Sequence, residues 1–269
     1  MAEKIWTNLQ MNINGLTQDV KFSKTAIEEI FNPLLRKLTE LQGLADRKIV
    51  AYLAAPPAAG KTTLAQFLEK LSRENIMFTN IRALGMDGFH YDSDYLKKNK
   101  ILRDGQEILM NDIKGAPETF DVDAMQNKIR EARLEGTHWN TYDRIIHDVV
   151  HDALSVEDDI ILIEGNYLLL EEPRWTNIRV LADYTVFVKA APELLTERLI
   201  SRKMKTGLTR EQAENFYRNS DGKNVERVLK NSARANETWQ LQPDGDYIKL
   251  EDDEEEDFDE MIFEDDAES

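Results

Sequence analysis

The stretch Tyr52–Leu71, YLAAPPAAGKTTLAQFLEKL, joins two kinds of periodicity. Upstream, KIVAYLAA from Lys48 is a short continuous apolar run, the pattern of a strand buried on both faces. Downstream, Leu64, Phe67, Leu68 and Leu71 recur at helical spacing. Between them residues 55–62 read A-P-P-A-A-G-K-T, one residue away from the pattern G-x-x-x-x-G-K-[ST], with Ala55 at the first glycine. A loop in this setting aims successive backbone N–H groups into one concavity at the positive end of the helix dipole, which suits phosphate oxygens. Ala55, Pro56, Pro57, Ala58, Ala59, Gly60, Lys61, Thr62 and Thr63 are then the candidate cradle, with Lys61 reaching the outer phosphates and Thr62 offering its hydroxyl to Mg2+. Alanine lacks glycine's freedom at positive φ, so the cradle requires ordinary backbone angles at residue 55. Pro56 and Pro57 stiffen the loop and donate no N–H. The alternative is a plain strand-to-helix turn that happens to read G-K-T.

The remaining composition bounds the class. The chain has 269 residues, an ordinary apolar fraction of 41% and no cysteine, which excludes disulfides and thiolate chemistry. No apolar N-terminal segment and no run of about 18 apolar residues is present, so a cytoplasmic protein without a membrane partner is expected. The net charge of -17 is mostly a tail: residues 251–269 hold 13 acidic and no basic side chains, leaving 38 acids against 34 bases elsewhere. Such a run repels itself, so 251–269 is expected to be a disordered, solvated tail, although Phe258, Met261, Ile262 and Phe263 allow it to dock. No basic stripe supplies the charge that nucleic-acid binding needs, so no nucleic-acid partner is expected. The sequence leaves oligomeric state open, a homodimer included.

Along the chain, Leu9, Met11 and Ile13 alternate before Asn14-Gly15, and Val20 and Phe22 follow, which is a strong hairpin signal. A helix follows, capped by Ser23 or by Thr25 with Glu28 at capping-box spacing, with Pro33 as a kink and an end near Gly43. After the quoted stretch come the apolar run NIRALGM, a helix over 121–134, the buried run DDIILIEG, the run ADYTVFVKA, a helix from Pro192, and helices in LTREQAENFYRN and NVERVLKNSARA. Strands alternating with helices predict an α/β protein with a parallel sheet covered on both sides. The expected division is an N-terminal hairpin-and-helix appendage (1–45), a main domain (46–250) and the tail (251–269).

Three further features carry chemistry. Asp87 ends an apolar run in GMDGFHYDSDYL, at the strand end where open α/β sheets place ligands. It could take a proton from an attacking hydroxyl, or serve only as an Asp-Gly turn residue. Glu164 ends IILIEG, where it could help hold Mg2+ or simply face water. Arg198 and Arg202 fall at i, i+4 on one helix face, suited either to clamping phosphate or to a solvated basic surface.

The order of the Ala55–Thr62 loop, MDGFH, KGAPETFDVDAM (114–125), YDR (142–144), ILIEGNYLLL (161–170) and the Arg198/Arg202 helix resembles the uridine kinase, pantothenate kinase and phosphoribulokinase group of P-loop kinases. It is most similar to the nucleoside/nucleotide-kinase-like branch, labelled pantothenate-kinase-like or fructokinase-like. The resemblance spans about residues 48–237 and implies a P-loop NTPase fold with a helical lid. It implies ATP as phosphate donor and Mg2+ held by Thr62 and Glu164. Asp87 would be the catalytic base, Lys61 the stabiliser of the moving phosphoryl group, and Arg198 and Arg202 part of the lid. His90, Tyr142, Asp143 and Arg144 would face a small hydroxyl-bearing acceptor. A regulatory nucleotide switch and a non-catalytic partner-binding protein on a kinase fold are the competing readings. HDVVH (147–151) nearly matches the zinc pattern H-E-x-x-H, but Asp replaces Glu and no third ligand is evident, so a helix presenting ordinary polar histidines is expected there.

Overall fold

The computed structural model describes residues 4–13, 15–103 and 105–263. The chain opens with a hairpin of β1 (Trp6–Ile13) and β2 (Leu16–Ser23), antiparallel in register from Trp6 opposite Ser23 to Ile13 opposite Leu16. Gly15 takes a positive φ of 82° in the turn, while Asn14 lies outside the described residues. Ser23 Oγ accepts the Ala26 N–H at 2.9 Å and caps α1 (Lys24–Ala26). A π-turn over Ile27–Phe31 leads into α2 (Asn32–Ala45). Pro33 brings no N–H to this junction, and a widened turn takes up the lost i→i−4 bond.

The body is one six-stranded sheet. β3 (Ile49–Ala54) is followed by α3 (Lys61–Glu74), β4 (Ile81–Gly85) and the short α4 (Ser93–Lys98). A small hairpin, β5 (Lys100–Arg103) and β6 (Gln106–Leu109), precedes α5 (Val122–Glu131). A second hairpin, β7 (His138–Asp143) and β8 (Asp148–Ser155), leads into β9 (Ile160–Gly165). Then come α6 (Thr176–Arg179), β10 (Tyr184–Ala190), α7 (Pro192–Lys205), α8 (Arg210–Phe216), α9 (Gly222–Asn231), β11 (Glu237–Leu241), β12 (Tyr247–Leu250) and α10 (Asp252–Phe263). The strand order is β12-β11-β10-β3-β9-β4, parallel throughout except that β12 runs antiparallel to β11.

β3 shows why the apolar run folds as it does. Ile49, Ala51 and Leu53 enter a core shared with α2, α3, α7 and the N-terminal hairpin. Val50, Tyr52 and Ala54 point the other way, into a core with α5 and the residues after β9. Side chains alternate across a strand, so a strand covered on both faces must be apolar at every position.

Two expectations differ from the structure. The segment around His147 and His151 is a β-hairpin rather than a helix: His147 sits in the turn at φ 55°, and the β-branched Val149 and Val150 favour extended backbone. Residues 252–263, expected to be a disordered tail, form α10, whose Phe258 is buried and whose Glu255 and Asp259 lie 3.0 and 2.7 Å from the buried Lys189 ammonium. The interrupting apolar residue and a buried cation outweigh the self-repulsion of the acidic run. Residues 264–269 lie outside the described residues. Among the described residues no helix is long and apolar enough to cross a membrane.

Candidate functional site

The loop after β3 keeps its strand geometry one residue longer than the glycine pattern suggests. Ala55 is fully buried, has no positive φ, and its N–H donates to the Gly165 carbonyl at 3.3 Å, extending the ladder to β9. The left-handed angles fall instead on Ala58 (φ 66°) and Gly60 (φ 85°). Gly60 needs no Cβ at that angle, whereas Ala58 bears a strain of about 1–2 kcal/mol. Gly60 begins α3 without any side-chain cap, so the first-turn N–H groups remain open to a ligand. Pro57, Ala58, Gly60, Lys61, Thr62 and Thr63 line a cavity of about 750 Å3. Pro56 and the buried Ala55 and Ala59 shape the loop from behind, the Pro56 carbonyl accepting from Ala59 N–H at 3.3 Å.

Asp87 and Glu164 reach the site from the carboxyl ends of β4 and β9. Asp87 sits in a 3-10 turn over Met86–Phe89, lines the cavity and is two-fifths exposed, with Arg144 Nη2 at 3.9 Å from Oδ2. Glu164 is buried, and its Oε1 accepts from Thr62 Oγ1 at 2.7 Å. Burial pushes the Glu164 carboxyl above its ordinary range, with the nearby Asp87 adding to this; Lys61, Thr62 and Arg144 pull it back only in part. A smaller cavity of about 140 Å3 beside Asp87 shares Thr62, Tyr142 and Arg144 with the first and touches Glu164.

Of the four residues implied for the acceptor, His90, Tyr142 and Arg144 line the large cavity and Asp143 does not. Its carboxylate accepts the N–H groups of Ile145 and Ile146 at 2.6 and 3.2 Å, fixing the β7–β8 turn. Asp143 thus acts on the site through the turn that presents Arg144. His90 stacks on Phe120 with centroids 3.8 Å apart, and burial holds its pKa below the ordinary value, so the ring is neutral near pH 7. Arg198 and Arg202 share the cavity-facing side of α7, and Arg198 Nη1 donates to the Ala58 carbonyl at 3.3 Å.

Several lining residues carried no signal in the spacing. Lys114 donates to the His147 carbonyl at 3.0 Å and lies 5.0 Å from the Tyr142 ring centroid. Asn166, just after Glu164, has its Oδ1 buried without a partner, as does Asp221 Oδ2. Burial raises the Asp221 pKa despite Lys203 and Arg202 nearby, and lowers that of Lys203, whose ammonium lies 3.5 Å from the Phe216 ring centroid. Seven basic side chains line the large cavity against three acidic ones, in a chain of net charge -17. That local reversal of sign makes the cavity a site for a strongly anionic ligand.

A model of the AAA domain family matches residues 52–225, the span from β3 through the cradle, Asp87 and Glu164 to α9. The chain belongs to this P-loop domain family and is related to P-loop kinases. It is 39% identical over 240 residues to the uncharacterized protein YggC of Escherichia coli K12, covering 89% of this chain and 98% of that one. It is 28% identical to a Schizosaccharomyces pombe protein named as a uridine kinase, covering 77% of this chain and 87% of that one. Among solved structures, a protein of Silicibacter sp. TM1040 named as a fructose transport system kinase is 26% identical and superposes with a TM-score of 0.64, covering 75% of this chain and 98% of that one. In this P-loop protein the hairpin β1–β2 and the helix α10 stand outside the span of the family match.

Proposed function

We propose that the protein is an ATP- and Mg2+-dependent kinase that moves the γ-phosphoryl group onto an alcohol group of a small metabolite: a nucleoside, pantothenate, a sugar or a related compound. One observation carries this reading: the open first turn of α3, Thr62 and the Asp87 carboxylate face one basic cavity, and Glu164, hydrogen-bonded to Thr62, lines the smaller cavity that adjoins it. ATP is the donor that such relatives imply. The oxygen-only set of Thr62 and Glu164 fits Mg2+, because a buried carboxylate held above its ordinary range lacks compensating charge. Thr62 and Glu164 would hold the ion, which when bound supplies charge neutralisation to phosphate oxygens.

The chain's own residues perform the remaining tasks. Lys61 and the α3 N–H groups stabilise negative charge developing on the transferring group. Asp87, partly exposed and beside Arg144, orients the acceptor hydroxyl and takes its proton. Arg198 and Arg202 close the basic wall and limit water, which would otherwise divert transfer into hydrolysis. This reading makes the protein a cytoplasmic enzyme acting on small molecules, with neither nucleic acid nor membrane as partner.

The test is a metabolite screen for acceptor-dependent ADP formation, paired with Asp87→Asn. Asparagine keeps the size but cannot take a proton, so transfer should fall by roughly 10²–10⁴-fold while ATP–Mg2+ affinity stays near wild type. Phosphate release that no acceptor stimulates would favour a nucleotide switch instead.

A further inference from the structure

The large cavity runs along the carboxyl edge of the sheet, and its two ends differ. The phosphate loop follows β3; on one side β9 and β4 bring Glu164 and Asp87, and on the other β10 leads into α7 with Leu194, Glu197 and Arg198. A donor whose outer phosphate lies at Lys61 and Thr62, and whose acceptor meets Asp87, must extend its remaining length toward the α7 side. There the wall is completed by Ile13, Leu16 and Gln18 of the N-terminal hairpin.

The register explains how the hairpin reaches the cavity. Ile13 pairs with Leu16, Met11 with Gln18, Leu9 with Val20 and Thr7 with Phe22, so all eight side chains share one face. On that face Met11, Ile13 and Phe22 are buried, and Leu9 and Val20 pack against the same core. Leu16 is 63% exposed. The hairpin therefore overhangs the core, and its last inward apolar side chain faces open cavity. Its position is fixed at the base: Lys4 Nζ lies 2.6 and 2.9 Å from the carboxylates of Asp244 and Asp246. Phe22 also stacks on Phe67 of α3 with centroids 3.9 Å apart, so the hairpin is tied to the helix whose first turn forms the cradle.

We propose that Leu16 and Gln18 form the wall against which the base of the nucleoside triphosphate donor lies. A planar ring with apolar faces and a polar edge matches them: Leu16 covers the face, and the Gln18 amide offers both a donor and an acceptor to the edge. The inference rests on the kinase reading and extends it to a segment outside the family's span.

Calorimetry on the full chain with two probes, Mg2+–ATP and Mg2+–tripolyphosphate, separates the base from the phosphates. Leu16→Ser should weaken ATP binding by about fivefold to tenfold, and Gln18→Ala by about threefold, while tripolyphosphate affinity stays within about twofold. Retained tripolyphosphate binding also shows that each variant is folded. Unchanged ATP affinity in both variants, equal weakening of both probes, or a wild type that binds ATP no more tightly than tripolyphosphate would overturn the inference and leave the cradle standing. A wild type that binds neither probe would overturn the kinase reading, and the inference with it.

Discussion

Gly88 lies next to the proposed base, and no space exists there for a side chain. A Cβ built on it would stand 2.1 Å from the Asn140 carbonyl oxygen, 2.4 Å from its carbon and 2.8 Å from Thr141 N, all backbone atoms. Ordinary contact begins at 3.4 Å, so Gly88→Ala forces a displacement of about 1.3 Å. The opposing strand cannot absorb it freely. Asn140 Oδ1 accepts from Asp152 N–H at 2.9 Å, and Trp139 Nε1 donates to the Gly85 carbonyl at 2.9 Å, which pins β7 to both β8 and the end of β4. Overpacking of this kind costs about 1–3 kcal/mol. For a domain of this size that lowers Tm by roughly 2–12 °C. The shift also moves Asp87 relative to Tyr142 and Arg144, and a misplacement near 1 Å lowers transfer by about 10²-fold. Differential scanning calorimetry and acceptor-dependent ADP formation measure the two effects. Gly43→Ala is the control: it meets nothing within 4 Å inside α2 and should stabilise by about 0.5–1 kcal/mol. A Gly88→Ala protein with wild-type Tm and wild-type transfer would refute the reasoning.

Glu164→Gln should raise the Tm of the metal-free protein at neutral pH. A carboxyl held above its ordinary value of 4.5 contributes stability that is fully present below that value and lost as pH rises through the folded one. The variant's advantage should therefore grow as pH climbs from about 4 toward neutrality, and a constant difference across that range would contradict the buried-carboxylate account. Truncation after Leu250 removes Phe258 and both carboxylates from Lys189. The loss of Phe258 burial alone, about 1.5–3 kcal/mol, should lower Tm by roughly 3–12 °C, and an unchanged melt would return α10 to the status of a solvated tail. Arg202→Ala should reduce kcat more than it weakens ATP binding, because a wall that completes the site acts mainly in the transition state; equal kcat and equal affinity would make it a surface residue.

The central sheet was legible because its strands are buried on both faces, which leaves unbroken apolar runs such as KIVAYLAA. The two small hairpins were not. In KILRDGQEIL an Asp-Gly pair between Ile101 and Ile108 marks β5–β6, but the flanking runs are short and half polar. At β7–β8 the i, i+4 histidines suggested a helix, whereas the bulge between Trp139 and Thr141 breaks the alternation that would have marked a strand. At the site, Asp87 and Glu164 could be singled out because each sits at or just beyond a strand end, and Lys61 and Thr62 because they open the helix that follows a buried strand. Lys114, Asp221 and Asn224 reach the cavity from loops and helices far along the chain, and no local spacing announces such convergence. Asn166 stood two residues from Glu164 and could have been singled out. In the acidic tail the self-repulsion of the run outweighed, on paper, the docking that Phe258, Met261, Ile262 and Phe263 allowed, yet Phe258 is buried.

The hairpin β7–β8 shares no strand ladder with the central sheet, yet it brings Tyr142 and Arg144 to the cavity. The segment 138–155 is a cassette: its ladder closes on itself, and it is held by side-chain bonds from Trp139 to Gly85, from Ser93 and Lys114 to the His147 carbonyl and from Lys128 to Asp152, and by the close approach at Gly88. On the proposed kinase reading the phosphate cradle belongs to the sheet and α3, so acceptor preference would be free to change by exchange of this cassette. A graft of the corresponding segment from a relative would keep the phosphate cradle intact while replacing the surface that greets the alcohol. On that reading, divergence of acceptors around one unchanged cradle would need no more than that.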